Sequence, residues 1–179
     1  MSRDGISLQF TEDGFAILQM NNGQNRFNTP FLKSLNSALD DILKNSSCKA
    51  LITTSTGHAF AGGAFFAMVH DYRVMRDDKG WICWNETHIK MRFPENLLEI
   101  LRLKVPRCDA LREAVIFGRR ITAQEARQLD LIDVVAELSN LIPEAKKLAT
   151  SALGKTGIDR NMLSVMKQDI YSRTVKSNL

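Results

Sequence analysis

Two adjacent glycines, Gly62 and Gly63, stand directly before the apolar run Ala64-Phe-Phe-Ala-Met68 and constrain this chain more than any other feature. Glycine lets a backbone approach its neighbour closely, and the first amides of a helix have no partner inside it. A helix opened by this pair can therefore aim an N–H at a ligand. After a short turn comes Trp81-Ile-Cys-Trp-Asn-Glu-Thr87, with Glu86 its single carboxylate. A backbone donor for a developing oxyanion and one acid/base group are what proton chemistry beside a carbonyl requires. Trp81, Ile82, Trp84 and Met91 are expected to desolvate Glu86, which would raise its pKa and improve it as a base. The same residues also suit a tightly packed helix start and an exposed turn glutamate, so spacing alone leaves both readings open.

The wider segment Thr56-Gly-His-Ala-Phe-Ala-Gly-Gly-Ala-Phe-Phe-Ala-Met-Val-His-Asp-Tyr-Arg-Val-Met75, followed by Asn85-Glu86, resembles the crotonase (enoyl-CoA hydratase/isomerase) superfamily. Its pattern there is a glycine-rich helix start, a helix running into an Asp-Tyr-Arg-like sequence, a short strand and a catalytic acid. Within that superfamily it looks most like the Δ3,Δ2-enoyl-CoA isomerases of peroxisomal type. The resemblance implies an α/β crotonase-like spiral core, here shortened, with a helical C-terminal region. It also implies Gly62 as an oxyanion donor, Glu86 as the base, and Gly63, Phe65 and Arg26 as substrate contacts, Arg26 toward a CoA phosphate. Hydratases carry a second glutamate one turn after the oxyanion glycine, and Phe65 occupies that position. Water activation loses a group there, whereas a 1,3 proton shift needs one base only.

Flanking segments fit the same frame. Ile6–Phe10 and Phe15–Met20, joined through Glu12-Asp13-Gly14, read as a hairpin. Asn25-Arg-Phe-Asn-Thr-Pro30 opens a helix whose buried face is expected to hold Leu32, Leu35, Leu39 and Ile42. Cys48 to Thr54 is the next strand. Thr122 and Glu125 have capping-box spacing, and Asp130 stands where relatives end that helix on glycine, so it is expected to adopt a left-handed conformation. Relatives follow the strand equivalent to Ala50–Ser55 with a loop, a long helical excursion and a further strand, but here Ser55 runs straight into Thr56-Gly57-His58. A parallel strand pair needs a crossover of about a dozen residues or more, so both family strands cannot be present. That block would have supplied the other oxyanion amide and much of the CoA wall.

Residues 1–135 are read as the shortened core and 136–179 as a helical extension. In the extension Pro143–Leu153 stops at Gly154, and Met162, Val165, Met166 and Ile170 recur at helical spacing. The resemblance implies that these helices cover acyl-CoA and join subunits, as a homotrimer or a mixed oligomer with full-length subunits.

With 179 residues, 44% hydrophobic and 25% charged, the chain can bury a core. Three cysteines and three widely spaced histidines show no metal-ligand spacing, so no metal is expected. No cofactor is expected either, CoA being the carrier of the substrate. A net charge of +4 gives Arg102-Leu-Lys-Val-Pro-Arg107 and Arg119-Arg120 two readings, a solvated helix face or a contact for CoA phosphates; no nucleic-acid motif accompanies them. No apolar run reaches the length of a membrane span. Ser177-Asn178-Leu179 resembles a peroxisomal address, implying an import receptor as partner, with the cytoplasm as the alternative.

Overall fold

The computed structural model describes residues 2–3, 5–23, 25, 27–55 and 63–176, with the backbone alone for 2–3 and 172–176. Arg26, the segment 56–62 with Gly57-His58-Ala59 and Gly62, and Ser177-Asn178-Leu179 lie outside the described residues. The chain divides into two compact units, Met1–Gly63 and Ala64–Leu179.

The first unit is a four-stranded sheet in the order β1 (Ser2–Arg3), β2 (Ile6–Phe10), β3 (Phe15–Met20), β4 (Ala50–Ser55). β2 and β3 pair antiparallel from Ile6↔Met20 to Phe10↔Ala16. Their turn closes through Gly14 N–H to Thr11 O at 3.0 Å, with Gly14 at φ 88°, a conformation that glycine reaches without strain. β3 then pairs parallel with β4, from Phe15↔Ala50 to Met20↔Ser55. The helix α1 (Thr29–Lys44) makes the crossover between them. Asn28 caps it by accepting the Phe31 N–H at 3.0 Å, and Pro30 sits in its first turn, where no N–H is needed.

The buried stripe of α1 is Phe31, Leu35, Ala38 and Ile42, with Ser34 beside it. Leu35 and Ile42 are where the sequence places them, but Leu32 is exposed and Leu39 only half-buried. The helical period was right and its phase was shifted, because the face that meets the sheet is chosen by the crossover geometry rather than by leucine content. Across from it, Ala16, Leu18 and Met20 recur at the strand period of two and are fully buried.

The second unit begins with α2 (Gly63–Met68), whose first residue belongs to the preceding unit. The sequence suggests a helix running into Asp71-Tyr72-Arg73, yet α2 ends at Met68. Arg73 instead binds the β6 side of a two-stranded parallel sheet, β5 (Val74–Arg76) with β6 (Val134–Ala136). Between these strands lie α3 (Glu95–Lys104), α4 (Cys108–Leu111) continued by a π-helical turn at Arg112–Ile116, and α5 (Ala123–Gln128). The capping box of α5 is formed, Thr122 N–H and Oγ1 both reaching Glu125 Oε2 at 2.9 and 2.8 Å. Asp130 adopts φ 57° after α5, as the missing glycine requires. Met68, Trp84, Leu101, Val105, Ala110, Ala114, Ile121, Ala126 and Leu131 make the core of this unit.

A 3-10 turn at Leu138–Asn140 leads into α6 (Leu141–Leu153), which ends at Gly154 with φ 68°, and α7 (Arg160–Lys176) follows. Lys167 of α7 pairs with Asp71, and Lys104 of α3 lies 4.6 Å above the Tyr171 ring. Met162, Val165, Met166 and Ile170 are all exposed on α7.

Candidate active site

Glu86 sits in a loop fastened on both sides. Ahead of it, Ile82 and Ile121 exchange backbone hydrogen bonds of 2.9 Å, making a short antiparallel bridge. Behind it, Asn85 O accepts the His88 N–H, Glu86 O accepts the Met91 N–H at 2.9 Å, and Thr87 Oγ1 donates to Ile116 O at 3.0 Å. A loop so bonded holds its side chains in one place, as an acid/base group demands. Glu86 is half-buried, and its Oε2 is closed to solvent with no hydrogen-bond partner among the described residues. The Trp84 Nε1 is in the same condition.

Phe65, in the first turn of α2, packs its ring 5.9 Å from Trp84 and 5.6 Å from Phe93. These three aromatic rings form an apolar cluster. The expected shielding of Glu86 is different in detail: Trp84 is buried, whereas Trp81 and Met91 are 55% and 61% exposed. Trp81 instead carries the Arg120 guanidinium 4.5 Å above its ring.

A cleft of about 730 Å³ is lined by Cys83, Asn85 and His88 of this loop together with Glu113, Phe117 and Gly118 to Arg120. Burial pushes the Cys83 thiol up, an effect that the Arg120 charge opposes and the Glu86 charge reinforces, so Cys83 stays protonated. Its Sγ lies 3.3 Å from Gly118 O. The arginines flagged by sequence are mostly committed to carboxylates: Arg102 to Glu95 and Glu99, Arg107 to Asp109, Arg119 to Glu125. These side chains are exposed as well as paired, which agrees with the solvated face expected from sequence.

Among the other residues singled out by sequence, Gly63 is buried at the start of α2, while Gly62 and Arg26 are outside the described residues. Next to Arg26, Asn25 is fully buried at φ 49°, its Nδ2 donating to Ser55 Oγ at 2.6 Å and its Oδ1 accepting the Asn22 N–H at 2.9 Å. Among the described residues, no group of three or more His, Cys, Asp or Glu converges as a metal site, and no helix is long and apolar enough to cross a membrane.

A mixed α/β chain with C-terminal helices is what the crotonase fold provides. The chain belongs to the enoyl-CoA hydratase/isomerase family, whose profile matches residues 10–177. It is 34% identical over 85 residues to the peroxisomal enoyl-CoA delta isomerase 2 of Arabidopsis thaliana, covering 48% of this chain and 35% of that protein. Enoyl-CoA delta isomerase 3 of the same plant is 33% identical over 105 residues, 59% of this chain and 43% of its own length. The chain thus spans less than half the length of these relatives. Among solved structures, human mitochondrial delta3-delta2-enoyl-CoA isomerase superposes with a TM-score of 0.85 at 17% identity, over 97% of this chain and 85% of that one. Enoyl-CoA hydratases share the fold as well, so the fold by itself does not separate the two chemistries.

Proposed function

We propose that this chain is an enoyl-CoA isomerase that shifts the double bond of a 3-enoyl-CoA to the 2-trans position, with Glu86 as its single base. The observation that carries this reading is the setting of Glu86. One carboxylate oxygen is buried without a partner in a pinned loop, and the nearby cluster offers Phe65 in place of a second carboxylate. Glu86 takes a proton from C2, the dienolate charge moves onto the thioester oxygen, and the resulting carboxylic acid returns the proton at C4. The proton removed is the proton returned, so neither water nor a cofactor enters the balance. In this reading Gly62 N–H polarises the thioester oxygen, Gly63 and Phe65 contact the acyl group, and Arg26 meets a CoA phosphate. The isomerase names of the Arabidopsis relatives support the choice of reaction, and the peroxisomal one among them supports a peroxisomal location.

A second reading makes the chain a weak or inactive acyl-CoA-binding partner that assembles with full-length isomerase subunits. The exposed row Met162, Val165, Met166 and Ile170 on α7 and the short span relative to those relatives favour it. Hydration is the least supported chemistry, because of Phe65.

Assay of the purified chain with a 3-enoyl-CoA decides between them. The first reading expects turnover that Glu86→Gln lowers at least about a hundredfold while circular dichroism and melting temperature stay unchanged. Full activity in Glu86→Gln would remove Glu86 from the role of base. An inert wild-type chain that joins full-length subunits would favour the second reading.

A further inference from the structure

We infer that Trp84 is a hydrogen-bond donor to the substrate, its indole Nε1–H meeting the carbonyl oxygen of the acyl thioester; the inference rests on the reading of Glu86 as the base. Trp84 is 2% exposed, and its Nε1 has neither solvent nor a hydrogen-bond partner among the described residues. Buried indoles ordinarily find an acceptor, because an unmade hydrogen bond in a dry site is costly. The Phe65 ring packed on Trp84, and Phe93 beyond it, offer that N–H no acceptor atom.

The second unpaired atom stands two residues on. Glu86 Oε2 is a buried acceptor, Trp84 Nε1 a buried donor, and the two do not satisfy each other. The two residues stand close in the chain, Trp84 just after the Ile82–Ile121 bridge and Glu86 opening the turn in which Asn85 O accepts the His88 N–H, so both side chains leave the same short stretch of backbone. An acyl thioester deprotonated at C2 has both complementary needs. It presents a C–H to a carboxylate and, on the adjacent carbon, an oxygen that gains negative charge. Indole is a donor only and keeps its proton at neutral pH, so it stabilises that charge without entering the proton transfer. In dry surroundings such a donor acts more strongly than in water. Both atoms are closed to water in the unliganded chain, so the acyl group must part the side chains around them on entry.

Nuclear magnetic resonance can watch this N–H directly, because the chain has only two tryptophans and Trp81→Phe assigns their signals. On titration of the ¹⁵N-labelled chain with acetoacetyl-CoA, the Trp84 indole proton is expected to move downfield and saturate with binding. Trp84→Phe is expected to weaken acetoacetyl-CoA about tenfold and lower kcat about a hundredfold, the usual effect of deleting one oxyanion donor. Its melting temperature does not discriminate, because the smaller ring leaves a cavity in the core while it removes an unpaired donor. A merely structural tryptophan would leave kcat and the affinity for acetoacetyl-CoA unchanged.

An indole signal that stays still while ligand saturates overturns the inference, as does failure of acetoacetyl-CoA to bind at all; should Trp84→Phe not fold, the wild-type titration decides alone. A still indole with Glu86→Gln inactive leaves the isomerase reading standing. A shifted indole with Glu86→Gln fully active preserves the Trp84 contact and removes that reading.

Discussion

Arg73 and Asp133, sixty residues apart, bind each other through both backbone and side chain. The Arg73 N–H donates to Asp133 Oδ2 at 2.7 Å, the Asp133 N–H donates to Arg73 O at 2.9 Å, and the guanidinium stands 3.9 Å from the same carboxylate. From there the guanidinium reaches Leu131 O at 2.8 Å and His70 O at 2.9 Å. The sheet that follows has only two strands of three residues, so its ladder is too short to fix its own register. Arg73 supplies that fixing just before Val74 pairs with Val134.

Replacing Arg73 by methionine keeps the apolar stem and removes the charged donors. Because the side chain is only 12% exposed, the freed carbonyls of His70 and Leu131 cannot all be rescued by water. Hydrogen bonds to a charged group contribute about 1.5–3 kcal/mol each, so Arg73→Met is expected to lose about 3 kcal/mol of stability in urea unfolding. A loss below about 1 kcal/mol would mean that the short ladder holds its register unaided.

Gly118 controls the loop of Glu86 from behind. It adopts φ 57°, and a Cβ there would lie 2.9 Å from His88 Cδ2 and 3.0 Å from Trp84 O. His88 is an exposed side chain and can move, but Trp84 O belongs to the loop backbone. Gly118→Ala is therefore expected to cost about 1–3 kcal/mol and to lower turnover by shifting Trp84 and Glu86 together. Thermal melting and the isomerase assay check it, and His88→Ala in the same chain should return only part of the loss.

Local rules explain what was legible in the sequence. The hairpin, the Asn28–Pro30 helix start, the Thr122–Glu125 box and the left-handed Asp130 each depend on residues within one turn of each other. The phase of α1 depends on a sheet, so leucine spacing misplaced Leu32 and Leu39. Trp81 and Met91 are near Glu86 in sequence yet exposed, because Trp81 is taken up by Arg120 from a distant segment. The cluster of Phe65, Trp84 and Phe93, and the orphaned indole N–H within it, are products of tertiary packing with no local signal. Arg73 was visible only as one letter of the Asp-Tyr-Arg pattern, and nothing local announced that it would bind across to Asp133.

Acid sensitivity should centre on Glu125. Its carboxylate takes the Arg119 guanidinium at 2.6 Å, then the Thr122 N–H and hydroxyl, and these bonds pull its pKa from an ordinary 4.5 to about 2. A folded-state pKa below the unfolded one contributes stability that is complete above pH about 4.5 and is lost as pH falls toward 2. Solvent screening at this exposed site keeps the contribution to about 1 kcal/mol or less. In Glu125→Gln the stability at neutral pH should drop by that amount and the slope between pH 4.5 and 2 should become shallower. It should not vanish, since Asp78 and Asp109 are also held low, by Arg76 and Arg107. An unchanged acid slope would show that Glu125 is equally paired in the unfolded chain.

Phe65 tests the choice between the two chemistries of the family. Its ring meets Trp84 and Phe93, so Phe65→Glu sets a carboxylate into an apolar cluster, where burial without full hydrogen bonding costs about 1–3 kcal/mol. The new group would also compete for the indole N–H of Trp84, which has no other partner. Isomerase turnover is therefore expected to fall, while a trace of water addition to a 2-enoyl-CoA appears because a second carboxylate can now orient water. Phe65→Gln separates these effects, since it brings polarity without a base and should lower isomerisation with no gain of hydration. Product analysis for 3-hydroxyacyl-CoA is the measurement. If the unmodified chain, with Phe65 in place, already forms 3-hydroxyacyl-CoA as fast as it isomerises, a lone Glu86 activates water without help, and the preference for isomerisation drawn from Phe65 falls.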